Sequence, residues 1–230
     1  MFSLISKALQ AFRSLISILL SIIYDTIISR PVTNYTYSRF LHRLKEHNLQ
    51  KMQHLLDIGV GTGTALNQII NEIPENVKIL GVDIDEHYVE FCQKMFEKRQ
   101  NVQIQLKNFL DFDEKENQNK FDVLVFSSSF MLMKEKDRAL EIARKVLKKD
   151  GGKIFFILTL FERKKRLVEK FKPLLKYALT IDFGEALTEQ EFMEILKRNG
   201  IKVSYKERIQ RKLVPCFKVF RYFLVEGEII

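Results

Sequence analysis

Leu55-Leu56-Asp57-Ile58-Gly59-Val60-Gly61-Thr62-Gly63-Thr64 is a hydrophobic run that ends in an acid and turns through three alternate glycines. Such a run reads as a buried strand, and the glycines as a tight turn that brings backbone close to a ligand with no Cβ in the way. A helix over residues 65–71 should follow, with its N-terminus aimed at that ligand. Spacing separates two kinds of loop. The dinucleotide fingerprint G-x-G-x-x-G needs its third glycine at position 64, which is Thr64, whereas Gly63 makes the pattern G-x-G-x-G. A pyrophosphate loop is disfavoured.

The segment Asp57-Ile58-Gly59-Val60-Gly61-Thr62-Gly63 resembles motif I, (D/E)-x-G-x-G-x-G, of the class I S-adenosylmethionine (SAM)-dependent methyltransferases, close to their type 11 and type 25 domains. The resemblance implies a Rossmann-like α/β fold: a seven-stranded, mostly parallel sheet with a C-terminal antiparallel strand and helices on both faces. It also implies SAM as cofactor. Asp57 should then face the methionyl amino group, directly or through water, with the backbone of Gly59, Gly61 and Gly63 along the carboxylate and ribose.

The rest of the chain follows in the order that family requires. Ile79-Leu80-Gly81-Val82-Asp83 is a second strand whose terminal acid stands about 20 residues past the loop, where it can accept both ribose hydroxyls. Ile84 adjoins it in the cofactor-binding set, and Asp85 reads as the cap of the next helix. A third strand over residues 102–107 leads to Asn108-Phe109. The family usually carries an acid-plus-small pair there, and the polar side chain bonds the adenine amino group. Asn108 departs from the commoner Asp but its carbonyl can still accept; Asp111 is the alternative.

The fourth strand, residues 121–126, runs into Ser127-Ser128-Ser129-Phe130-Met131-Leu132-Met133, where the family holds the group to be methylated. Ser127 joins the cofactor-binding set, and Ser127 and Ser128 sit nearest the acceptor. No proline stands here, so the base-gripping (N/D/S)-P-P-(Y/F) tetrapeptide of nitrogen methyltransferases is missing. The version present is similar to the small-molecule, lipid and protein branches. Phe130, Met131 and Met133 read first as core and second as a pocket lining. A helix over 137–147, the Gly151-Gly152 turn, a fifth strand over 153–160 and a helix capped by Thr188 with Glu191 completing a capping box come next. Strands over 202–211 and 217–226 close the pattern. No catalytic base can be read off, because in-line displacement from a sulfonium mainly needs donor and acceptor aligned about 3 Å apart.

Ahead of this domain, which is taken as residues 31–230, lies a docking helix over residues 1–30. Phe2, Ile5, Leu9, Phe12, Ile16, Leu19, Ile23 and Ile27 recur in steps of three or four, opposite Ser3, Lys7, Gln10, Ser14, Ser17, Ser21 and Asp25. The charge-poor part, residues 14–24, is short of the roughly 20 residues a span needs. Attachment through residues 1–28 to a membrane surface, mitochondrial or endoplasmic reticulum, is the first reading. A membrane-protein partner, an organellar leader, or packing on the chain's own domain compete with it.

The formal net charge is +9, and Arg163-Lys164-Lys165-Arg166, Lys170, Lys172 and Lys176 cluster after strand five, beside the expected site mouth. Anionic headgroups, an acidic substrate or nucleic acid would each be drawn there; nucleic acid ranks below the others. Between helix and loop, Arg30, Asn34, Tyr35, Tyr37 and Arg39 have the composition of a cofactor lid. Cys92 and Cys216 read as reduced packing residues, and His42, His47, His54 and His87 make no metal constellation.

The expected function is therefore a membrane-associated SAM-dependent methyltransferase acting on a lipid-like, small-molecule or protein acceptor. The runner-up is a non-catalytic SAM-fold subunit of a membrane complex. An NAD-dependent oxidoreductase is disfavoured by the missing third glycine and the absence of a Tyr-x-x-x-Lys.

Overall fold

The computed structural model describes residues 30–161, 187–209 and 221–230. Residues 1–28, where an apolar docking helix is expected, the basic cluster of residues 163–176 and Cys216 fall outside the described residues. A seven-stranded sheet in the order β3-β2-β1-β4-β5-β7-β6 forms the frame. Its strands are β1 His54–Ile58, β2 Lys78–Asp83, β3 Val102–Leu106, β4 Val123–Ser127, β5 Lys153–Leu160, β6 Ile201–Ile209 and β7 Arg221–Ile229. Neighbours from β3 through β5 pair in parallel, and β7 is antiparallel to both β5 and β6. The expected fold class holds, with strand ends moved by a few residues.

Layering follows from the sequence. The central strands are apolar on both faces: Leu55, Leu56, Ile58, Leu124, Val125, Phe126 and Phe155 to Leu158 are buried, as strands covered on both sides must be. Helices α1 Arg30–Glu46, α2 Thr64–Ile69 and α3 Glu86–Phe96 cover one face, through Tyr37, Phe40, Leu44, Leu66, Val89, Cys92 and Phe96. Helices α4 Lys136–Val146 and α5 Glu189–Arg198 cover the other. There Phe126 stacks on Phe156 at 5.2 Å, and Phe130 and Phe192 pack edge-on around the pair. Phe130 is therefore core, and Met131 and Met133 pack partly buried against it.

Caps fall where the residue types demand. Asp85 accepts from Tyr88 N–H at the start of α3, and Thr188 and Glu191 form the capping box of α5. Helix α2 is shorter than expected and passes into a 3-10 turn over Ile70–Glu72, because Pro74 forces Ile73 into an extended conformation (φ −90°, ψ 127°).

Helix α1 presents Tyr37, Phe40, Leu41 and Leu44 to the sheet, with helical spacing. Its polar side is tied to the last two strands. Arg39 Nε donates to Glu207 Oε2 at 3.0 Å, Arg43 Nη2 to Glu226 Oε2 at 2.8 Å, and His47 Nε2 lies 2.7 Å from Glu226 Oε1. Glu226 is fully buried, which would raise its pKa, yet the bonds from Arg43 and His47 hold it below the usual range. These ties anchor α1 to β6 and β7, while Tyr37 of the same helix reaches Asp57 on β1 and Ser127 on β4.

Candidate cofactor site

Strand β1 delivers Asp57 and Ile58 to the carboxyl edge of the sheet, and the chain turns at once. Gly59 N–H and Val60 N–H both donate to Val82 O, at 2.8 and 3.2 Å, which clips the loop to β2. All three loop glycines have positive φ: +80° at Gly59, +58° at Gly61 and +74° at Gly63. Their surroundings differ. A Cβ on Gly59 would lie 2.4 Å from Ser129 Cβ, and one on Gly63 would lie 2.5 Å from Cys92 Sγ. A Cβ on Gly61 would meet no atom within 4 Å. Two glycines thus permit close packing of the fold, and the middle one opens onto free space.

Asp83 borders that space. Its Oδ2 accepts from Gly61 N–H at 2.8 Å and its Oδ1 from Asp85 N–H at 3.0 Å, so the carboxylate is held at the loop while staying partly exposed. Next to it Ile84 is 74% exposed, an apolar surface at the strand end with no protein over it. A backbone cradle, an anchored carboxylate and a bare apolar side chain fit an adenosine-type cofactor: hydroxyls on Asp83, ring face on Ile84.

The other expected site residues are placed differently. Asn108 is exposed; its Oδ1 accepts from Leu110 N–H at 3.1 Å and caps the 3-10 turn Phe109–Asp111, with a second lone pair left on that oxygen. Phe109 is buried against Phe112 and Phe126, because its ring completes the aromatic core.

Asp57 is fully buried beneath the loop in the ligand-free chain, so of the two expected modes, direct or through water, its closed surroundings offer no direct opening. Tyr37 Oη donates to its Oδ2 at 2.8 Å, and Ser127 Oγ lies within hydrogen-bond reach of its Oδ1 at 2.6 Å. Tyr37 Oη and Ser127 Oγ are themselves 2.5 Å apart. Burial pushes the Asp57 carboxyl up to about 6 against those hydrogen bonds, and the nearby Asp83 charge adds to the rise. A carboxyl raised in the folded state contributes stability that is present at low pH and lost as pH rises through about 6. Burial also pushes the Tyr37 hydroxyl well above its ordinary value, and the Cys92 thiol up to about 12. Cys92 is an inert packing group behind Gly63.

Ser128 adopts a left-handed φ of +55°, unusual without glycine, and its N–H donates to Ile157 O at 2.8 Å. That bend sends Ser129 back under the loop, where its Oγ donates to Ile58 O at 2.5 Å. Tyr37 and Ser129 thus complete a site whose sequence signal lay elsewhere. Tyr37 was one aromatic among several in a segment without a motif, and its partners stand 20 and 90 positions away. No group of His, Cys, Asp and Glu that could hold a metal occurs among the described residues.

Different penalties are expected across one motif. Gly59→Ala and Gly63→Ala should each destabilise the fold by about 2–4 kcal/mol, from left-handed strain plus overpacking, whereas Gly61→Ala should cost only the strain, about 1–2 kcal/mol. Urea unfolding of the three variants checks this; equal losses would contradict the division.

Residues 49–200 match the protein family described as methyltransferase domain, as the motif resemblance implies. An uncharacterized protein of Rickettsia prowazekii (strain Madrid E) is 30% identical over 138 residues, covering 56% of this chain and 54% of that protein, so the chain spans about half of that relative's length. Among solved structures, a geranyl diphosphate methyltransferase in complex with SAM superposes with a TM-score of 0.68 at 13% identity, over 86% of this chain and 85% of the other. A SAM-dependent methyltransferase from Aquifex aeolicus gives 0.59 at 20% identity, over 82% and 88%. A geranyl diphosphate C-methyltransferase from Streptomyces coelicolor A3(2) gives 0.65 at 14% identity, over 84% and 77%. At these identities the structures establish a shared fold.

Proposed function

The chain belongs to the methyltransferase-domain family, and from that premise we propose that it transfers a methyl group from SAM to a lipid-like small molecule at a membrane surface. The observation that carries the cofactor half is Gly61, whose Cβ direction is empty beside the held carboxylate of Asp83 and the bare Ile84. When bound, SAM supplies a methyl on a sulfonium, open to in-line attack. The chain's own part is placement. Asp83 would accept the ribose hydroxyls, Ile84 would cover an adenine face, and the backbone at Gly61 would leave room for the ribose and methionyl chain. Ser127 and Ser128, at the end of β4, border the acceptor side.

Two features support the acceptor half. Structural relatives include enzymes named for geranyl diphosphate, a small prenyl compound. The chain itself carries the apolar stripe from Phe2 to Ile27 and the basic run Arg163-Lys164-Lys165-Arg166. Among the described residues no helix is long and apolar enough to cross a membrane; a stripe of this kind, short of charge-free length, suits attachment in the plane of the interface. A non-catalytic subunit remains the second reading, since the loop and Asp83 serve cofactor binding in either case. Incubation with methyl-labelled SAM and a membrane lipid extract separates them: label in the organic phase supports the enzyme, and binding of SAM without transfer favours the subunit.

Attachment makes its own prediction. Deleting residues 1–28 should release the protein from both neutral and anionic liposomes. Neutralising Arg163, Lys164, Lys165 and Arg166 should weaken binding only to anionic ones, by about 1 kcal/mol per residue and reversibly with salt. Co-sedimentation of the full chain reads this out. No pelleting with either liposome would contradict lipid attachment and direct residues 1–28 to a protein partner.

A further inference from the structure

Tyr37, Asp57 and Ser127 form a closed ring of three oxygen contacts at 2.8, 2.5 and 2.6 Å. Each hydrogen bond uses one proton. The tyrosine and serine hydroxyls bring one apiece, and a carboxylate brings none. With Asp57 ionised, two protons can serve only two contacts, and one pair of oxygens would face each other at close range with nothing between. A third proton, on Asp57, completes the ring: Asp57 donates to Ser127, Ser127 to Tyr37, and Tyr37 to the second oxygen of Asp57.

We infer that at mildly acidic pH Asp57 is a carboxylic acid in the cofactor-free protein and releases that proton to solvent when a cationic cofactor occupies the glycine loop. The linkage rests on the SAM reading above. The groups facing Asp57 are Tyr37 from α1, Asp83 from β2, Cys92 from α3 and Ser127 from β4. None carries positive charge, and the negative Asp83 works against ionisation. SAM brings a sulfonium and an ammonium to that neighbourhood, and a nearby cation favours the carboxylate. Once ionised, Asp57 retains two donors, Tyr37 and Ser127. Burial acts in the same direction as the ring, raising the carboxyl to about 6.

The test is calorimetry of the full chain with SAM at pH 5.5, in two buffers of different ionisation enthalpy. A buffer-dependent heat equivalent to about one released proton is expected, and at pH 7, where the α-amino group of SAM is still mostly protonated, it should shrink to a small fraction of that. Affinity should fall about tenfold per pH unit below about 6, and Asp57→Asn should flatten that profile. In the cofactor-free protein, the infrared carbonyl band of a protonated buried carboxyl should be present at pH 5, absent from Asp57→Asn, and lost on adding SAM. SAM heat with no buffer dependence at pH 5.5, or no such band, overturns the proton linkage alone. No SAM binding in any buffer, with the band present, overturns the cofactor reading and the linkage with it, leaving only the ring's proton.

Discussion

Gly61→Val is expected to abolish SAM binding in a protein that still folds. The Cβ direction at this residue is empty, so a valine side chain meets no protein atom and projects where the ligand backbone approach occurs. Its φ of +58° is strained for a branched residue, at about 1–3 kcal/mol, which a domain stable by about 5–15 kcal/mol tolerates. The binding penalty is steric and has no way to relax, because Gly59 and Gly63 on either side are packed against Ser129 and Cys92. A loss of more than a hundredfold corresponds to at least about 2.7 kcal/mol. Thermal-shift titration shows both properties together: a cooperative melt, and no stabilisation by SAM. A folded variant still stabilised like the wild type would place the cofactor elsewhere.

Asp83→Ala should weaken SAM binding by about 1–3 kcal/mol, a loss of roughly 5- to 150-fold. Two causes combine. The ribose hydroxyls lose a charged acceptor, and the Gly61 and Asp85 N–H groups lose the carboxylate that now holds them at 2.8 and 3.0 Å. Asp83→Asn keeps one acceptor oxygen and should fall between. Unchanged affinity in a folded Asp83→Ala protein, measured by calorimetry, would remove Asp83 from the ribose.

Much of this architecture was legible because it is local. Strand β5 falls on Lys153–Leu160 as its apolar run indicates, Asp85 and the Thr188–Glu191 pair cap helices as their side chains favour, and Gly59, Gly61 and Gly63 turn where alternation places them. The site's long-range chemistry was not. That Asp57 lies beneath Tyr37 depends on α1 crossing the sheet, and that crossing is fixed by Arg39 and Arg43 reaching glutamates on β6 and β7, far along the chain. Likewise Phe109 reads as part of a loop pair by position. Its burial follows from aromatic neighbours on other elements, which no spacing rule reports. Within the glycine motif the sequence shows three equal residues. Only packing distinguishes the two that accommodate Ser129 and Cys92 from the one that faces free space.

The central claim is that the cradle at Gly61, bounded by Asp83 and Ile84, is a SAM site. A crystal structure of the full chain with S-adenosylhomocysteine tests it most directly. The account predicts ligand density over Gly61, ribose hydroxyls within hydrogen-bond reach of Asp83, and the adenine against Ile84. Density in any other place, or an unchanged Asp83–Gly61 contact with no ligand at saturating concentration, would contradict it.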